Sequence, residues 1–478
     1  MRAKIFILIF TLGIFLRVFL LDDESLWLDE GTSLRIAKMK TLEIVKLESD
    51  ANPPLYYLIL HLWIKIFGDS EFSVRFPSLI FGSATIFIVF KLLSSFDGEN
   101  ALLSSLLTSI STFLVFYSQE ARAYSLFLMI SALSYLFLLE ALKRGETKFF
   151  ILYTLSIVLM LYTHIYSFFV VFSHIVFVSL CYINRIKKFS LFFSLSLLFY
   201  IPRAIVVFNQ ARNITSQGFW LPKPSFIDIA KTLIQFSGAT YPMPRDETGN
   251  VVLKSFIVEY FPSAVLLFIF GVLILVLHLN FKKIDLEKRN FILMLWLWFL
   301  SPIILPFILS QFLTPFYFTR YAIPSSVAFY ALVSMGFEFI NKKFKNVVLL
   351  LIIFLSAVNL AWYYAKTNKE QWREAVKFVE EKAQGNDLVV ASKYVFYYYF
   401  KRTDVKTFSF KDVSGEEMEK QLRDFLFIIK DYKRVWFVLS HPWEIERNAF
   451  ENLKRSMNMT LRKKFLGIDV FLFEGGAN

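Results

Sequence analysis

Residues 5–21, IFILIFTLGIFLRVFLL, form the apolar run that decides the fold class. Arg2 and Lys4 precede this run, and the polar residues DDES follow it at 22–25, where a signal peptide would have small residues. A bilayer core about 30 Å thick needs about 20 predominantly apolar residues in a spanning helix. The run therefore predicts an uncleaved transmembrane helix.

Ten further apolar runs of similar length follow along the chain. The 478 residues are 56% hydrophobic, include 57 Phe and have a mean hydropathy of +0.52, which is more apolar surface than soluble cores require. We therefore expect a multi-pass α-helical membrane protein with about eleven transmembrane helices. The ten additional segments are 74–95, 101–117, 122–142, 149–163, 165–183, 189–208, 258–280, 291–313, 321–340 and 346–365.

Basic residues indicate how these helices are oriented. The chain has 52 Lys and Arg against 39 Asp and Glu, but the excess lies in short loops between apolar runs, so it predicts topology rather than nucleic-acid binding. The positive-inside rule then predicts a cytoplasmic amino terminus and an extracytoplasmic carboxyl terminus. The basic residues assigned to the cytoplasmic side are Arg2, Lys4, Lys91, Lys143, Arg144, Lys148, Arg185, Lys187, Lys188, Lys282, Lys283, Lys288, Arg289, Lys342, Lys343 and Lys345.

Three long segments lie on the predicted outer side. The first outer loop, 22–73, has helical spacing and an aromatic second half, which is typical of helices in the membrane interface. The second, 209–257, contains WLPKPS and YPMPRDETGN and predicts a flexible loop. The third, 366–478, alternates helix-like runs with short β-like runs such as DLVVAS, VKTFSF, RVWFVLS and DVFLFE. We therefore expect a membrane domain over 1–365 and a small α/β extracytoplasmic domain over 366–478.

Several ionisable or strongly polar residues fall at the outer ends of the predicted helices. Charges near a membrane core are costly and tend to mark function. A carboxylate can act as general base for a hydroxyl, and arginines can bind and stabilise a phosphate. Together they suit glycosyl or phosphoryl transfer from a lipid phosphate. The residues are Asp29, Glu30, Arg75, Gln119, Glu120, Arg122, His164, Arg320 and Tyr321.

Other common sites are missing from the sequence. It has neither the GxxxxGK[ST] motif of phosphate-binding loops nor the glycine fingerprint of dinucleotide-binding domains. A donor used outside the cytoplasm should therefore be lipid-linked. Cys181 is the single cysteine and lies in an apolar run, which excludes a disulfide framework and a thiolate metal site.

Five stretches of the sequence carry motifs: WLDEGTSLRIA (27–37), NPPLYYLILHLWIKIFGDSEFSVRFPSLIFG (52–82), FYSQEARAYSLFLMISALS (116–134), YTHIYSFFVV (162–171) and FTRYAIPSSVAFYAL (318–332). They resemble one family of membrane enzymes, the polyprenyl-phosphate-sugar-dependent glycosyltransferases of the GT-C superfamily. The similarity is to the dolichyl-phosphate-mannose protein mannosyltransferase type, including the bacterial aminoarabinose transferases, and covers about residues 5–365. The PPLYY…G…E…VR arrangement between 53 and 75 is its most specific part.

The resemblance implies a role for each candidate residue. The first-loop aspartate of the family is the catalytic base, so this role passes to Asp29, with Glu30 orienting the loop or the acceptor. Glu120 matches a second acidic position of the family. The donor phosphate would face Arg122 and Arg320, and Arg75 is a further candidate for it. The cavity would be lined by His164, Tyr321, Asn52 and Tyr56.

The implied reaction is an inverting, single displacement. Asp29 would deprotonate the acceptor hydroxyl, and the polyprenyl phosphate would leave as an anion that needs no protonation. Nothing in the sequence singles out the nucleophile that a retaining route requires. The aminoarabinose enzymes place a zinc-binding glutamate just before a proline, whereas this chain has Asn52 before Pro53, so we predict no structural zinc. No cofactor is firmly implied; a divalent cation would suit the reaction, but the sequence supplies no ligand set.

Each assignment has a simpler alternative. Asp29 and Glu30 precede a helical stretch and could complement its positive amino-terminal end. Arg75 could brace the first loop, His164 could hydrogen-bond a neighbouring helix end, and Tyr56 could be a core or lipid-facing residue.

Two other functional classes also use many helices. A secondary transporter would concentrate polar groups near the membrane midplane and often show paired repeats. A lipid-linked saccharide flippase or polymerase would share the lipid but should lack the DE pair followed by PPLYY. We therefore expect a glycosyltransferase of the cell membrane whose active site faces outward. Its partners would be a polyprenyl-phosphate sugar and a protein, glycan or lipid acceptor, without nucleic acid.

Overall fold

The computed structural model describes residues 1–47, 50, 52–217, 221–239 and 253–475, excluding the side chains of 210–217 and 253–259. The chain divides into two compact units, which we describe separately. The first unit contains Met1–Leu21 and Ala37–Lys366, and the second contains Asp22–Ile36 and the residues from Thr367 onward. The division into 1–365 and 366–478 stays a prediction; the compact units differ from it in Asp22–Ile36 and at Lys366.

The α-helices between the amino terminus and Lys366, of which α2 lies mostly in the second unit, are α1 (Arg2–Val18), α2 (Leu28–Ala37), α3 (Thr41–Val45), α4 (Leu55–Phe67), α5 (Glu71–Ser94), α6 (Gly98–Ile110), α7 (Thr112–Ser118), α8 (Tyr124–Arg144), α9 (Thr147–Leu161), α10 (Ser167–Cys181), α11 (Ile186–Gln217), α12 (Phe226–Phe236), α13 (Leu253–Leu279), α14 (Leu286–Phe312), α15 (Pro324–Phe337) and α16 (Lys342–Ala365). The carboxyl-terminal elements are α17 (Trp372–Lys382), β1 (Leu388–Val390), α18 (Tyr394–Tyr399), β2 (Lys406–Phe408), α19 (Gly415–Ile428), β3 (Arg434–Leu439), α20 (Glu444–Ser456), β4 (Asn458–Phe465) and β5 (Ile468–Glu474).

The apolar runs are helical, as the multi-pass fold class requires. Each of the eleven predicted segments coincides with a helix, and the segment 101–117 coincides with α6 and α7 together. By length and composition, six helices of the described ranges could cross a membrane, or seven if the bent pair α6 and α7 forms one span. The multi-pass helical fold is confirmed, whereas the count of eleven crossings is not.

The break between α6 and α7 is stabilised by a buried arginine. The two helices meet at an angle of 59°. A helix end inside a membrane leaves carbonyl groups without helical partners, and these must be satisfied by other groups of the protein. Arg17 of α1 is fully buried and donates to the carbonyl oxygens of Thr108 and Ser109 at 3.0 and 3.2 Å. It also donates to the Ser118 hydroxyl at 3.1 Å, which anchors the end of α7.

The second outer segment is more ordered than the sequence suggests. We expected a flexible loop over 209–257, but α11 extends to Gln217 and α12 occupies Phe226–Phe236. The backbone N–H and hydroxyl of Ser225 both donate to Asp228, which caps the start of α12. The last residues of the predicted loop, from Leu253, belong to α13, and residues 218–220 and 240–252 lie outside the described residues.

The second unit is an α/β domain, as predicted for the carboxyl-terminal region. Its five strands have the order β2-β1-β3-β5-β4; β2, β1 and β3 are parallel, whereas β5 pairs antiparallel with β3 and β4. The sequence analysis missed β4 because its side chains are mostly exposed and lack a regular alternation. The core of this unit is Leu388, Val390, Phe410, Phe425, Ile429, Val435, Phe437, Ile445, Ala449, Leu453, Phe471 and Phe473.

Candidate active site

In the first unit, the candidate residues gather around the turn between α7 and α8. The backbone N–H of Arg122 donates to the carbonyl of Glu120 at 2.8 Å, so both residues lie in one tight turn. Both side chains are buried. Ionised groups are costly to bury unless they are compensated. Buried charged side chains of this kind tend to mark function, which keeps Glu120 and Arg122 as candidates.

Arg122 is held by the chain that leads into α4. Its Nη1 atom donates to the Tyr57 hydroxyl at 3.2 Å and lies 3.9 Å from the Asp50 carboxylate. Asn52 orients this carboxylate, because its backbone N–H and its side-chain amide donate to Asp50 Oδ1 at 2.7 and 3.0 Å. The sequence analysis missed Asp50 and Tyr57. An acidic residue shortly before the Pro53-Pro54 pair would have been the signal for Asp50.

Tyr56, which we predicted to line the cavity, supports the same arginine. Its hydroxyl lies 2.9 Å from the Ser78 hydroxyl, which donates to the Arg122 carbonyl at 3.3 Å. Tyr56 is fully buried. These contacts position the backbone of the turn, which agrees with the alternative of a core role.

Arg320 lies among aromatic rings in the short 3-10 helix Thr319–Ala322. Its guanidinium carbon is 4.7 Å from the ring centroid of Phe318, 5.5 Å from that of Tyr124 and 5.9 Å from that of Tyr321. A guanidinium over aromatic faces is stabilised without losing its charge. This arrangement places a positive charge beside the aromatic rings of the first unit.

His164 lies beside the same aromatic group. Its ring centroid is 4.9 Å from that of Tyr321 and 4.8 Å from the stacked ring of Phe127. The positive charges of Arg122 and Arg320 both act on its imidazole. The structure therefore brings together His164, Tyr321 and the two arginines that we selected from the sequence.

The protonation of His164 can be assigned from its contacts. Nδ1 accepts a hydrogen bond from the backbone N–H of Tyr166 at 3.2 Å, so the proton of the neutral ring is on Nε2. Nε2 is buried and has no hydrogen-bond partner among the described residues. A buried donor without an acceptor costs about 1–3 kcal/mol, so such a group calls for an explanation. An anion between the two arginines would supply the acceptor.

Arg75 makes a different contact. It is buried, and its Nη1 atom donates to the Leu21 carbonyl at 2.8 Å, at the end of the α1 segment. This bond favours the alternative that Arg75 braces the start of the first loop over contact with a phosphate.

Asp29 and Glu30 belong to the second unit and form the first turn of α2. Glu30 is fully buried, and its Oε1 atom lies 3.2 Å from Nζ of Lys369, which is also buried. Asp29 is half-buried, and its carbonyl accepts from the Ser33 hydroxyl at 3.2 Å. The two residues of the pair thus differ: Glu30 is buried in an ion pair within its unit, while Asp29 is only half-buried.

Across the described ranges, no group of three or more His, Cys, Asp and Glu side chains could hold a metal ion. The predicted absence of structural zinc stays a prediction.

Two kinds of comparison relate the chain to known proteins. Residues 51–207, about a third of the chain, match the family described as dolichyl-phosphate-mannose-protein mannosyltransferase. The matched range contains the turn with Arg122, its supports from α4 and His164. No curated protein matches the sequence.

Solved structures resemble the whole chain in fold. ArnT from Cupriavidus metallidurans in the apo state is 12% identical, with a TM-score of 0.63, and the match covers 98% of this chain and 97% of ArnT. The archaeal oligosaccharyltransferase AglB from Archaeoglobus fulgidus, in complex with an inhibitory peptide and a dolichol-phosphate, is 13% identical with a TM-score of 0.56; this match covers 91% of this chain and 69% of AglB. At these identities the likeness concerns the fold.

Proposed function

We propose that the chain is a glycosyltransferase of the GT-C superfamily that transfers a sugar from a polyprenyl phosphate to an acceptor hydroxyl. Its fold and the mannosyltransferase family match over residues 51–207 support this proposal. We further propose that transfer takes place on the extracytoplasmic side of the cell membrane with inversion at the anomeric carbon. The amino terminus would then be cytoplasmic.

The N–H group of His164 that has no partner among the described residues supports the part of the proposal that concerns the polyprenyl-phosphate substrate. Its Nε2–H group and the guanidinium groups of Arg122 and Arg320 supply only hydrogen-bond donors and positive charge. Phosphate oxygens are acceptors and carry negative charge, so they complement all three groups. The bound dolichol-phosphate named for AglB supports a ligand of this class.

The leaving group needs charge stabilisation rather than a proton. When the bond between the anomeric carbon and the phosphate oxygen breaks, both electrons stay with the phosphate, which gains negative charge. Arg122, which is buried, and Arg320, which is half-buried among aromatic rings, would stabilise that charge. Asp50 would hold Arg122 in place through the 3.9 Å contact.

The acceptor needs a base. We propose that Asp29 takes the hydroxyl proton as the oxygen attacks the anomeric carbon. Asp29 lies in the first turn of α2, and its side chain is only half-buried. Glu120 of the first unit stays a second candidate for an acidic catalytic residue. It is buried and lies two residues before Arg122 in the sequence.

The direct test is sugar transfer by the full chain in lipid vesicles supplied with radiolabelled polyprenyl-phosphate sugars. We expect label to move to an acceptor fraction with the wild-type protein. Arg122→Ala and Arg320→Ala should each lower kcat/KM by roughly a hundredfold, since a charged hydrogen bond to the leaving group contributes a few kcal/mol. Arg144→Ala, which removes an exposed pair with Glu140, is the matched control.

The same experiment separates the other functional classes. Movement of the lipid-linked sugar from one leaflet of the vesicle membrane to the other, without release of polyprenyl phosphate, would indicate a flippase and overturn the proposal. Uptake of a soluble solute without any transfer would indicate a transporter. Wild-type transfer by both arginine variants would refute their assignment to the donor phosphate.

A further inference from the structure

A buried carboxylate in the second unit has three partners on different parts of the chain. Glu370 Oε2 accepts from the backbone N–H of Leu28 at 3.1 Å and from the indole N–H of Trp372 at 2.6 Å. Its Oε1 atom lies 2.7 Å from Nε2 of His441. Only 7% of Glu370 is exposed, so these contacts replace water.

The contact with Leu28 fixes the start of α2. Leu28 is the first residue of this helix and directly precedes Asp29. The first N–H groups of a helix have no partner within the helix, so a side chain that accepts from one of them determines where the helix begins. Ser25, just before α2, also contacts this segment. Its hydroxyl donates to the backbone carbonyl of Glu370 at 2.6 Å and accepts from the backbone N–H of Trp372 at 3.0 Å.

His441 completes the arrangement from the other side. It follows β3 by two residues, and its backbone has φ of +45°, in the left-handed region that few residues other than glycine adopt, although asparagine, aspartate and histidine do so more often than most. In this conformation its imidazole lies against Glu370. The side chain is 64% exposed, so it exchanges protons freely with solvent.

The charges around His441 favour its protonated form. Glu370 hydrogen-bonds it, Asp29 attracts it and Lys393 repels it, and the balance raises its pKa above the ordinary value of 6.5 despite partial burial. The imidazolium donates to Glu370, which strengthens the acceptor that holds Leu28.

We propose that His441 and Glu370 are a positioning pair for Asp29, through which the second unit holds the start of α2 in its catalytic geometry. This inference rests on the proposed function of Asp29 as base. Neither residue touches the reacting atoms. Glu370 holds the backbone of Leu28, and protonated His441 holds Glu370. The second unit would therefore position the proposed base, in addition to any part it has in choosing the acceptor.

The pair makes a prediction that hydrogen exchange can test without any substrate. In the full chain in nanodiscs, protection of the Leu28 amide should be high at acidic and neutral pH and should decrease as the pH rises through the raised pKa of His441. His441→Asn should lower this protection at acidic and neutral pH, because asparagine tolerates the backbone conformation but is too short to reach Glu370. Arg462→Gln, which removes an exposed ion pair with Asp469, is the matched control and should leave protection unchanged.

Glu370→Gln gives the sharpest contrast. The amide oxygen can still accept from Leu28 and Trp372, but the amide N–H now donates to Nε2 and requires a neutral imidazole. Protection of Leu28 should therefore increase with pH in this variant, opposite to the wild type. In transfer assays, kcat should follow the same two pH profiles, and His441→Asn should lower kcat by about tenfold or more while KM for the donor changes little.

The outcomes distinguish the two proposals. Wild-type protection of Leu28 in His441→Asn, or the same pH profile in Glu370→Gln as in the wild type, would overturn the positioning pair. If protection changes as described but no polyprenyl-phosphate sugar is ever transferred, the pair stands as a device that holds α2 and the glycosyltransferase proposal fails.

Discussion

Glu30 and Lys369, 339 residues apart in the sequence, form an ion pair in which both side chains are almost fully buried, with 3.2 Å between Oε1 and Nζ. The second oxygen of Glu30 accepts from the backbone N–H of Trp27 at 3.5 Å, so the same carboxylate also contacts the chain just before α2. The residue next to the proposed base thus joins the first predicted loop to the carboxyl-terminal part of the chain, within one compact unit.

Replacing one partner of this pair should be costly. Glu30→Gln leaves the Lys369 ammonium buried without its counter-charge, and we expect a loss of about 3–5 kcal/mol in the free energy of unfolding of the second unit. The double variant Glu30→Gln with Lys369→Met should lose less than Glu30→Gln alone. Chemical denaturation monitored by tryptophan fluorescence measures both. Glu451→Gln, which breaks the exposed pair with Lys454, is the control, and an equally small loss in Glu30→Gln would contradict a structural role for the buried pair.

Asp29→Asn should abolish transfer while leaving the donor bound. Loss of a general base lowers kcat by roughly 10²–10⁴-fold, whereas the phosphate contacts lie on other residues. Transfer from radiolabelled donor and equilibrium binding of the same donor give the two numbers. Asp23→Asn, at an exposed position of the same segment, should keep wild-type turnover. Wild-type turnover in Asp29→Asn would remove this residue from the mechanism.

The His164 donor can be tested with two amides of different length. Asparagine can place its oxygen near the Nδ1 position, where it accepts from the Tyr166 N–H, but it has no donor at the Nε2 position. We therefore expect His164→Asn to weaken binding of polyprenyl phosphate by about tenfold, and His164→Gln, whose amide reaches further, to restore part of it. Titration calorimetry in nanodiscs measures both affinities. Equal affinities in the wild type and both variants would mean that Nε2 faces no ligand.

Gly31 marks a close approach within the second unit. A Cβ atom at this position would lie 2.0 Å from Cγ2 of Val395 in α18, so Gly31→Ala must displace one of the two helices. We expect destabilisation of about 1–3 kcal/mol and a matching fall in transfer. Gly271→Ala is the control, because no described atom lies within 4 Å of a Cβ built there. Thermal unfolding of the two variants side by side decides the point.

The contact between His441 and Glu370 also predicts how stability depends on pH. The folded protein raises the pKa of His441 above 6.5, so its stabilisation is complete below pH 6.5 and is lost as the pH rises through the folded value. The difference in thermal midpoint between the wild type and His441→Asn should therefore be largest at acidic pH and shrink above neutrality. A difference that grows with pH would show that the neutral ring is the bound form.

Local sequence patterns predicted most membrane helices of this protein, but they did not predict which side chains contact each other across the chain. Hydropathy located the eleven long apolar helical segments because a spanning helix must be apolar along its own length, but it missed α12, which is short. The motifs located Arg122, His164 and Arg320, which do come together in the first unit. Pairing across hundreds of residues leaves no such local trace, so Lys369 and Glu370 were not singled out. Asp50 was missed because a lone acidic residue in a loop has no periodicity, and its place shortly before the Pro53-Pro54 pair was the one local signal for it.

The α2 segment also bears on how the protein is made. Glu30 leaves the ribosome 339 residues before its partner Lys369, and the contact of Leu28 with Glu370 is delayed in the same way. Most helices of the first unit are synthesised in this interval, before the contacts of α2 can form. A shorter chain that lacks Lys369 and Glu370 would therefore leave the start of α2 without the side chains that hold it.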